Sequence, residues 1–355
     1  ETGCHILLAQ KAFSMFRVYP LIGSYLSGTT ASGLYEARLG YEEMKKENHV
    51  FAPAYKTEDM KELVTICDHI IFNSFAQFEK HKEIISEYNN SQRENGNRVS
   101  IGMRVNPEFS TQEGHAIYDP CAPGSRLGVV RAKFPETLPK EIEGLHVHTL
   151  CEQDSDDLEA TFNAFEKSFE PYLKKIKWLN LGGGHHITRP GYDIERLERC
   201  IRMAKDEWKV EVYLEPGEAW ALNAGFLLTR VLDVLKNGET EIAIVDASAA
   251  CHMPDVLEMP YRPPLLGADD TEEDRITVRL GGPTCLSGDV IGDYSFDKQI
   301  HVGDKLYFQD MAIYSMVKNN TFNGMPLPDI AVMDADGECR VIRRFGYEDF
   351  KCRLS

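Results

Sequence analysis

Short apolar runs alternate with longer amphipathic stretches through the first 215 residues, and this alternation predicts β/α units. Eight runs stand out, at 6–11, 29–34 (the weakest), 49–55, 69–75, 100–106, 144–150, 178–183 and 211–215. Eight parallel strands with intervening helices is the number that closes a barrel. Between runs six and seven, Leu158, Phe162, Phe165, Phe169 and Leu173 recur at three- and four-residue steps beneath a charged face, so 155–177 is expected to be helical. Asp154, Ser155 and Asp156 offer N-cap chemistry at its start. Residues 86–98, rich in Asn, Ser, Glu and Arg, read as a solvated helix end and loop. After about Ala219 the texture changes: the runs 226–234, 241–247, 276–281, 304–309 and 329–334 follow one another with turns and few helices. The pattern therefore predicts an α/β chain, with a (β/α)8 barrel over 1–218 followed by a smaller β-rich domain over 219–355.

Composition narrows what such a chain does. With 355 residues, 43% of them hydrophobic, it has enough material for a barrel and a second core. No run approaches the roughly eighteen apolar residues of a membrane span, and no basic region precedes an apolar leader, so a cytoplasmic location is expected. Acidic residues outnumber basic ones by 56 to 39, a net charge of −17 that argues against nucleic acid or an anionic membrane as partner. The same charge suits a cationic small molecule, or plain solubility. Nine cysteines are scattered singly without a CxxC pair, so neither a disulfide framework nor a zinc site is expected. Most of them should be small buried apolar residues.

Barrel enzymes carry their chemistry where strands end, and here those ends are rich in it. Run one ends in Lys11, run five carries Arg104, and run six ends in His146-Val147-His148. Run seven passes into Gly182-Gly183-Gly184, and run eight ends in Glu215-Pro216-Gly217. A lysine behind Ile6-Leu7-Leu8-Ala9 has apolar walls that lower its pKa, which suits an imine-forming nucleophile, although a strand-terminal lysine taken alone is most often a solvated end. The triple glycine lets backbone approach an anion, or serves only a tight turn. Glu215 can pair with a protonated pyridine nitrogen, act as a general base, or sit in a buried ion pair. Together, lysine, glycine turn and carboxylate specify pyridoxal 5'-phosphate better than any one of them does. The vicinal pair His185-His186 diverges on an extended backbone with no acid or thiol spaced to complete a site, so no metal is expected.

These residues resemble a known family. Gln10 to Ser14 (QKAFS), Gly144 to His148 (GLHVH), Leu181 to Gly184 (LGGG), Glu215 to Gly217 (EPG), Gly282 to Cys285 (GPTC) and Gln309 to Tyr314 (QDMAIY) look like the alanine-racemase-fold decarboxylases, which act on ornithine, diaminopimelate and arginine. Within that family, 181–188 (LGGGHHIT), 214–219 (LEPGEA), 245–263 (VDASAACHMPDVLEMPYRP) and 282–289 (GPTCLSGD) resemble the branch acting on carboxynorspermidine and carboxyspermidine. The resemblance implies decarboxylation to norspermidine or spermidine. It makes Lys11 the lysine that carries pyridoxal phosphate, His148 the imidazole stacked on the ring, and Glu215 the partner of the ring nitrogen. Gly183, Gly184, Gly217 and Tyr314 resemble phosphate contacts, and Arg104 joins the cofactor set. Cys285 resembles the proton donor that enters from a neighbouring subunit, which implies a homodimer with shared sites.

Three departures carry information. Glu218 stands where ornithine and diaminopimelate decarboxylases have an arginine that helps with phosphate, and a carboxylate there suits a substrate ammonium instead. Thr149, Leu150 and Cys151 replace the small glycine-serine pair that follows the histidine in relatives. Lys11 lies so near the start that the chain is expected to begin inside a longer protein, with a strand and helix of the family preceding it. Asp255 and Asp289 are expected to join Glu218 in binding the substrate's amines, with Glu258 a further acid in reach of that role. The rival readings are an ornithine, arginine or diaminopimelate decarboxylase, a racemase, or a non-catalytic regulator that binds pyridoxal phosphate or polyamines.

Overall fold

The computed structural model of the chain describes residues 1–92, 98–112, 119–271 and 275–355. It separates into two compact units, Glu1–Trp220 and Ala221–Ser355. Part of the expected loop at 86–98 lies outside the described residues; its first part, through Ser91, is helical.

In the first unit the apolar runs become eight parallel strands: β1 (His5–Ala9), β2 (Gly28–Ala31), β3 (Glu47–Phe51), β4 (His69–Phe72), β5 (Ser100–Asn106), β6 (Ile142–Val147), β7 (Trp178–Asn180) and β8 (Glu211–Leu214). They pair in the order β4-β3-β2-β1-β8-β7-β6-β5, and β4 also pairs with β5, so the sheet closes. A two-residue strand at Val129–Val130 lies along the end of β5. The apolar residues facing outward from the strands pack under the helices. Ser155–Leu173, for example, buries Leu158, Phe162, Phe165, Phe169 and Leu173. Its N-cap residue Asp154 makes no capping bond and pairs with Arg189 instead.

Successive side chains of a strand point to opposite faces, so alternate residues line the barrel interior in layers. Going from the N-terminal to the C-terminal end, Glu47, His49 and Phe51 climb β3, Gly144 and His146 climb β6, Trp178 and Asn180 climb β7, and Tyr213 leads β8 towards Glu215. The Trp178 indole fills the lower layer; a Cβ on Gly102 or Gly144 would lie only 2.3 or 2.0 Å from it, so only glycine fits beside that ring. Its Nε1–H donates to Ser100 Oγ at 2.9 Å.

The second unit is a six-stranded sheet built from β9 (Phe226–Asn237), β10 (Thr240–Val245), β11 (Ala268–Asp269), β12 (Ile276–Gly281), β13 (Val290–Phe296) and β14 (Lys305–Gln309), in the order β11-β13-β12-β10-β9-β14. Among the described residues, the β10–β12 pairing is parallel and the others are antiparallel. A hairpin of β15 (Ile330–Met333) and β16 (Cys339–Arg343) follows. Strand β13 puts Ile291, Tyr294 and Phe296 into the core, but Gly292 and Asp293 interrupt its apolar run, and Asp293 is taken up by Arg279 of β12 at 2.7 and 2.9 Å. Among the described residues no helix is long and apolar enough to cross a membrane.

All nine cysteines are free, and the expectation that most are buried fails. Cys67, Cys200 and Cys251 are buried, Cys4, Cys121 and Cys151 half-buried, and Cys285, Cys339 and Cys352 exposed.

Candidate active site

Lys11, Arg104, His146, His148, Glu215 and the glycines singled out above lie on or just past the C-terminal ends of the barrel strands. Glu215, one residue past β8, is buried, and each of its oxygens meets one partner, which leaves acceptor capacity on both. Asn180 Nδ2 donates to Oε1 at 2.7 Å and His146 Nε2 lies 3.2 Å from Oε2. Burial alone would raise its pKa, but His146, His49 and the Asn180 bond outweigh that and bring it to about 2. Glu215 is therefore an ionised carboxylate in a dry place. Desolvation lowers the pKa of His146 against the pull of Glu215; facing an ionised carboxylate, its Nε2 donates, and among the described residues its Nδ1 has no partner. The sequence left the choice between His146 and His148 to resemblance; the fold gives them separate tasks.

His148 lies one residue beyond β6, its Nδ1 3.5 Å from the Gly183 N–H. Crowding by protein, with Lys11 and Arg104 nearby, holds its pKa well below the usual value. Arg104 on β5 is buried, donates to the His148 carbonyl at 3.0 Å and stacks over Phe51 at 4.6 Å from the ring centroid. Desolvation brings its pKa to about 10, so it remains a cation. Lys11 stands two residues past β1 on a turn whose Gln10 is buried, with Gln10 Nε2 donating to the Glu36 carbonyl at 2.8 Å and Gln10 Oε1 accepting from Tyr19 at 3.1 Å. The Lys11 side chain is open to solvent at the barrel mouth yet ringed by protein atoms, and that crowding, together with Arg104, lowers its pKa.

The glycines answer partly to sterics. Gly184 has φ +82°, and a Cβ there would lie 2.2 Å from the Leu150 carbonyl oxygen. Gly217 packs against the Lys11 turn, its would-be Cβ 2.7 Å from Ala12 Cβ. Among the described residues, neither the Gly184 nor the Gly217 N–H has a protein acceptor, so both remain for a ligand anion.

Glu218 is half-buried, with Oε2 3.6 Å from His186 Nε2. Ligand atoms of Glu152, His186 and Glu218 all lie within 4.8 Å of one another. Acidic partners for His186 thus exist, where the spacing showed none: the fold supplies them from segments 34 and 32 residues away. Asn180 and Phe51 were also missed. Asn180 was legible as a polar residue inside the apolar run Trp178-Leu179-Asn180-Leu181, whereas Phe51 reads as ordinary core.

The remaining candidates belong to the second unit. Cys285 is exposed, and its N–H donates to Asn323 Oδ1 at 3.0 Å. Asp255 is buried and pairs with Lys318, which also reaches Glu258 Oε2 at 3.1 Å. Asp289 is buried with donors from its own unit on both oxygens. Tyr314 has φ +51° and ψ −51°, the centre of a strained three-residue turn closed by Ser315 N–H on the Ile313 carbonyl at 2.5 Å.

Known proteins agree with this chemistry. The family described as pyridoxal-dependent decarboxylase, C-terminal sheet domain, matches residues 25–312. The carboxynorspermidine/carboxyspermidine decarboxylase of Campylobacter jejuni is 41% identical over 99% of this chain and 92% of its own. The carboxyaminopropylagmatine decarboxylase of Synechocystis is 43% identical over 98% of this chain and 88% of its own. The crystal structure of the C. jejuni carboxynorspermidine decarboxylase complexed with norspermidine superposes with a TM-score of 0.88 at 40% identity, covering 99% of this chain and 93% of that one.

Proposed function

This chain belongs to the pyridoxal-dependent decarboxylase family, and we propose from that premise that it decarboxylates carboxynorspermidine or carboxyspermidine to norspermidine or spermidine in polyamine biosynthesis. It is a carboxy-lyase and its cofactor is pyridoxal 5'-phosphate. The residues present fit that group. The Gly184 and Gly217 N–H groups lack a protein acceptor among the described residues, Arg104 adds a buried cation, and Glu215 is an ionised carboxylate available to a protonated ring nitrogen. When bound, the cofactor supplies an electron sink for the pair left behind by departing carbon dioxide.

The chain's own residues take the remaining tasks. Lys11, its pKa lowered by desolvation and by Arg104, offers its amine for covalent attachment. Glu215 keeps the proton on the ring nitrogen while His146 and Asn180 hold its carboxylate in place. His148 would cover the ring, and Gly183, Gly184, Gly217 and Tyr314 would hold the phosphate. Glu218 and Asp255 accept substrate ammonium groups, and Cys285 Sγ returns a proton to the α carbon. The same reading takes the enzyme to be a homodimer with shared sites, and we assign it to the cytoplasm. The cofactor-binding barrel is taken as 1–218 and the β-rich domain as 219–355.

The observation that carries the substrate class is the group of Glu152, His186 and Glu218, two carboxylates and an imidazole within 4.8 Å of one another. Such a group receives a cation. A second reading is favoured by the 43% identity to the Synechocystis enzyme: a substrate whose far end is the guanidinium of carboxyaminopropylagmatine. Carbon dioxide release from carboxynorspermidine, carboxyspermidine, carboxyaminopropylagmatine, ornithine and diaminopimelate decides between them. The proposal expects one of the first two to lead in kcat/KM by tenfold or more, about 1.4 kcal/mol. A lead by the agmatine derivative favours the second reading, and turnover of none refutes both.

A further inference from the structure

Asp289 closes the eight-residue loop between β12 and β13 that carries Cys285. Its carboxylate is only 4% exposed and receives four donors. Ser248 Oγ lies 3.0 and 2.9 Å from its two oxygens, and the Ala250 N–H lies 3.3 Å from Oδ1. The Thr284 N–H and hydroxyl lie 3.3 and 2.7 Å from Oδ2. A carboxylate offers about four lone-pair positions, so this one is filled from within its own unit. The loop's main chain repeats the closure: the Gly282 N–H donates to the Asp289 carbonyl at 2.9 Å, and the Asp289 N–H to the Leu286 carbonyl at 2.9 Å. A Cβ on Gly282 would sit 2.3 Å from Asp289 Oδ2, which explains the glycine that opens the loop.

A second arm reaches Cys285 from the same root. The short helix Ala249–His252, capped by Ser248 Oγ, holds Asn320 through the Ala250 carbonyl (2.7 Å from Asn320 Nδ2) and the Cys251 carbonyl (2.9 Å from the Asn320 N–H). Asn320 Oδ1 accepts the Phe322 N–H at 3.0 Å, and the next residue, Asn323 at φ +56°, accepts the Cys285 N–H at 3.0 Å. Thr284 and Cys285 are thus gripped on consecutive residues, one by Asp289 and one by Asn323, with both grips anchored on Ser248 to His252. The Cys285 side chain is left exposed above a buried polar network.

We propose that Asp289 is a positioning residue for Cys285, fixing the turn that presents the thiol, and that it does not bind substrate. This rests on the reading of Cys285 as proton donor. Buried, fully satisfied networks rigidify the segment they hold, and a proton donor gains most from being held where the proton is needed.

The test is a double-mutant cycle on holoenzyme, with kcat and KM measured for Asp289→Ala and Thr284→Val, each with Cys285 and with Cys285→Ala. Cys285→Ala alone should lower kcat by about a hundredfold. Asp289→Ala should lower kcat by about tenfold with KM within twofold, and that loss should shrink below about twofold once Cys285 is gone. Thr284→Val, which removes one donor only, should show a smaller loss with the same dependence, and it serves if Asp289→Ala does not fold. Equal losses in both backgrounds would mean general damage and overturn the inference, as would a raised KM with kcat unchanged. An unchanged kcat in Cys285→Ala alone overturns the cysteine's role and the inference with it.

Discussion

The barrel carries a glutamate–histidine cluster at each end, and the two behave differently. At the C-terminal end Glu215 meets His146 and Asn180. At the N-terminal end Glu47 Oε1 lies 2.9 Å from His49 Nε2 and 3.8 Å from His69 Nε2. The ingredients are nearly the same, yet the surroundings are not. The lower histidines are stacked on each other at 4.0 Å, and His69 stacks on Trp178 at 4.6 Å, with Tyr213 bonded to Glu47. The ligand atoms of Glu47, His49 and His69 also lie within 4.8 Å of one another, but both imidazoles are buried in this ring stack at the end where the strands begin. The upper cluster adds Lys11, the Arg104 cation and the Gly184 and Gly217 N–H groups, which have no acceptor among the described residues. What separates chemistry from packing is therefore the cation, the open backbone donors and the strand end, rather than the carboxylate and imidazole themselves.

The largest break in this contrast comes from Lys11→Ala at the upper end. It should abolish the visible absorbance of bound cofactor and lower turnover by at least about a thousandfold, with the unfolding midpoint little changed; spectra and kcat on purified protein check it. Next comes Glu218→Gln, which should raise KM for the polyamine substrate by about tenfold, one charged hydrogen bond, while kcat stays within a few-fold. The smallest effect sharpens the lower end. Desolvation pushes the pKa of His69 far below its usual 6.5, so below pH 6.5 the unfolded chain takes a proton that the folded chain refuses, and stability falls as the pH drops. His69→Phe keeps the ring stack without the titration. It should remove about 2 kcal/mol of the stability lost between pH 6.5 and pH 5, measured by denaturant unfolding at both values. Glu215 contributes in the same direction but lower: its stabilisation is complete above 4.5 and is lost as the pH falls towards 2.

The barrel was legible because its strands are buried on both faces and so read as plain apolar runs. The β13 strand was not, since Gly292 and Asp293 interrupt it and its Asp293 depends on an Arg279 in the neighbouring strand. At the site, Lys11, His148, Glu215 and the glycines stand at run ends, where position alone makes them conspicuous. The partners that tune them, Asn180 and His146, lie inside those runs and were visible only as polar residues in an apolar context. Glu152 meets His186, and Glu47 meets His69, by closure of the fold; neither pair has a spacing that announces it. Asp289 shows the opposite limit. Its residue type suggested a substrate acceptor, and only the four donors around it reveal that it is already engaged.

The division between the two ends is tested most directly by measuring Glu215→Gln and Glu47→Gln side by side, kcat on carboxynorspermidine and unfolding free energy at the same pH. Glu215→Gln should lower kcat by about a hundredfold or more. Glu47→Gln should cost about 2 kcal/mol of stability while kcat stays within twofold. Loss of kcat in both variants, or in neither, would contradict the account.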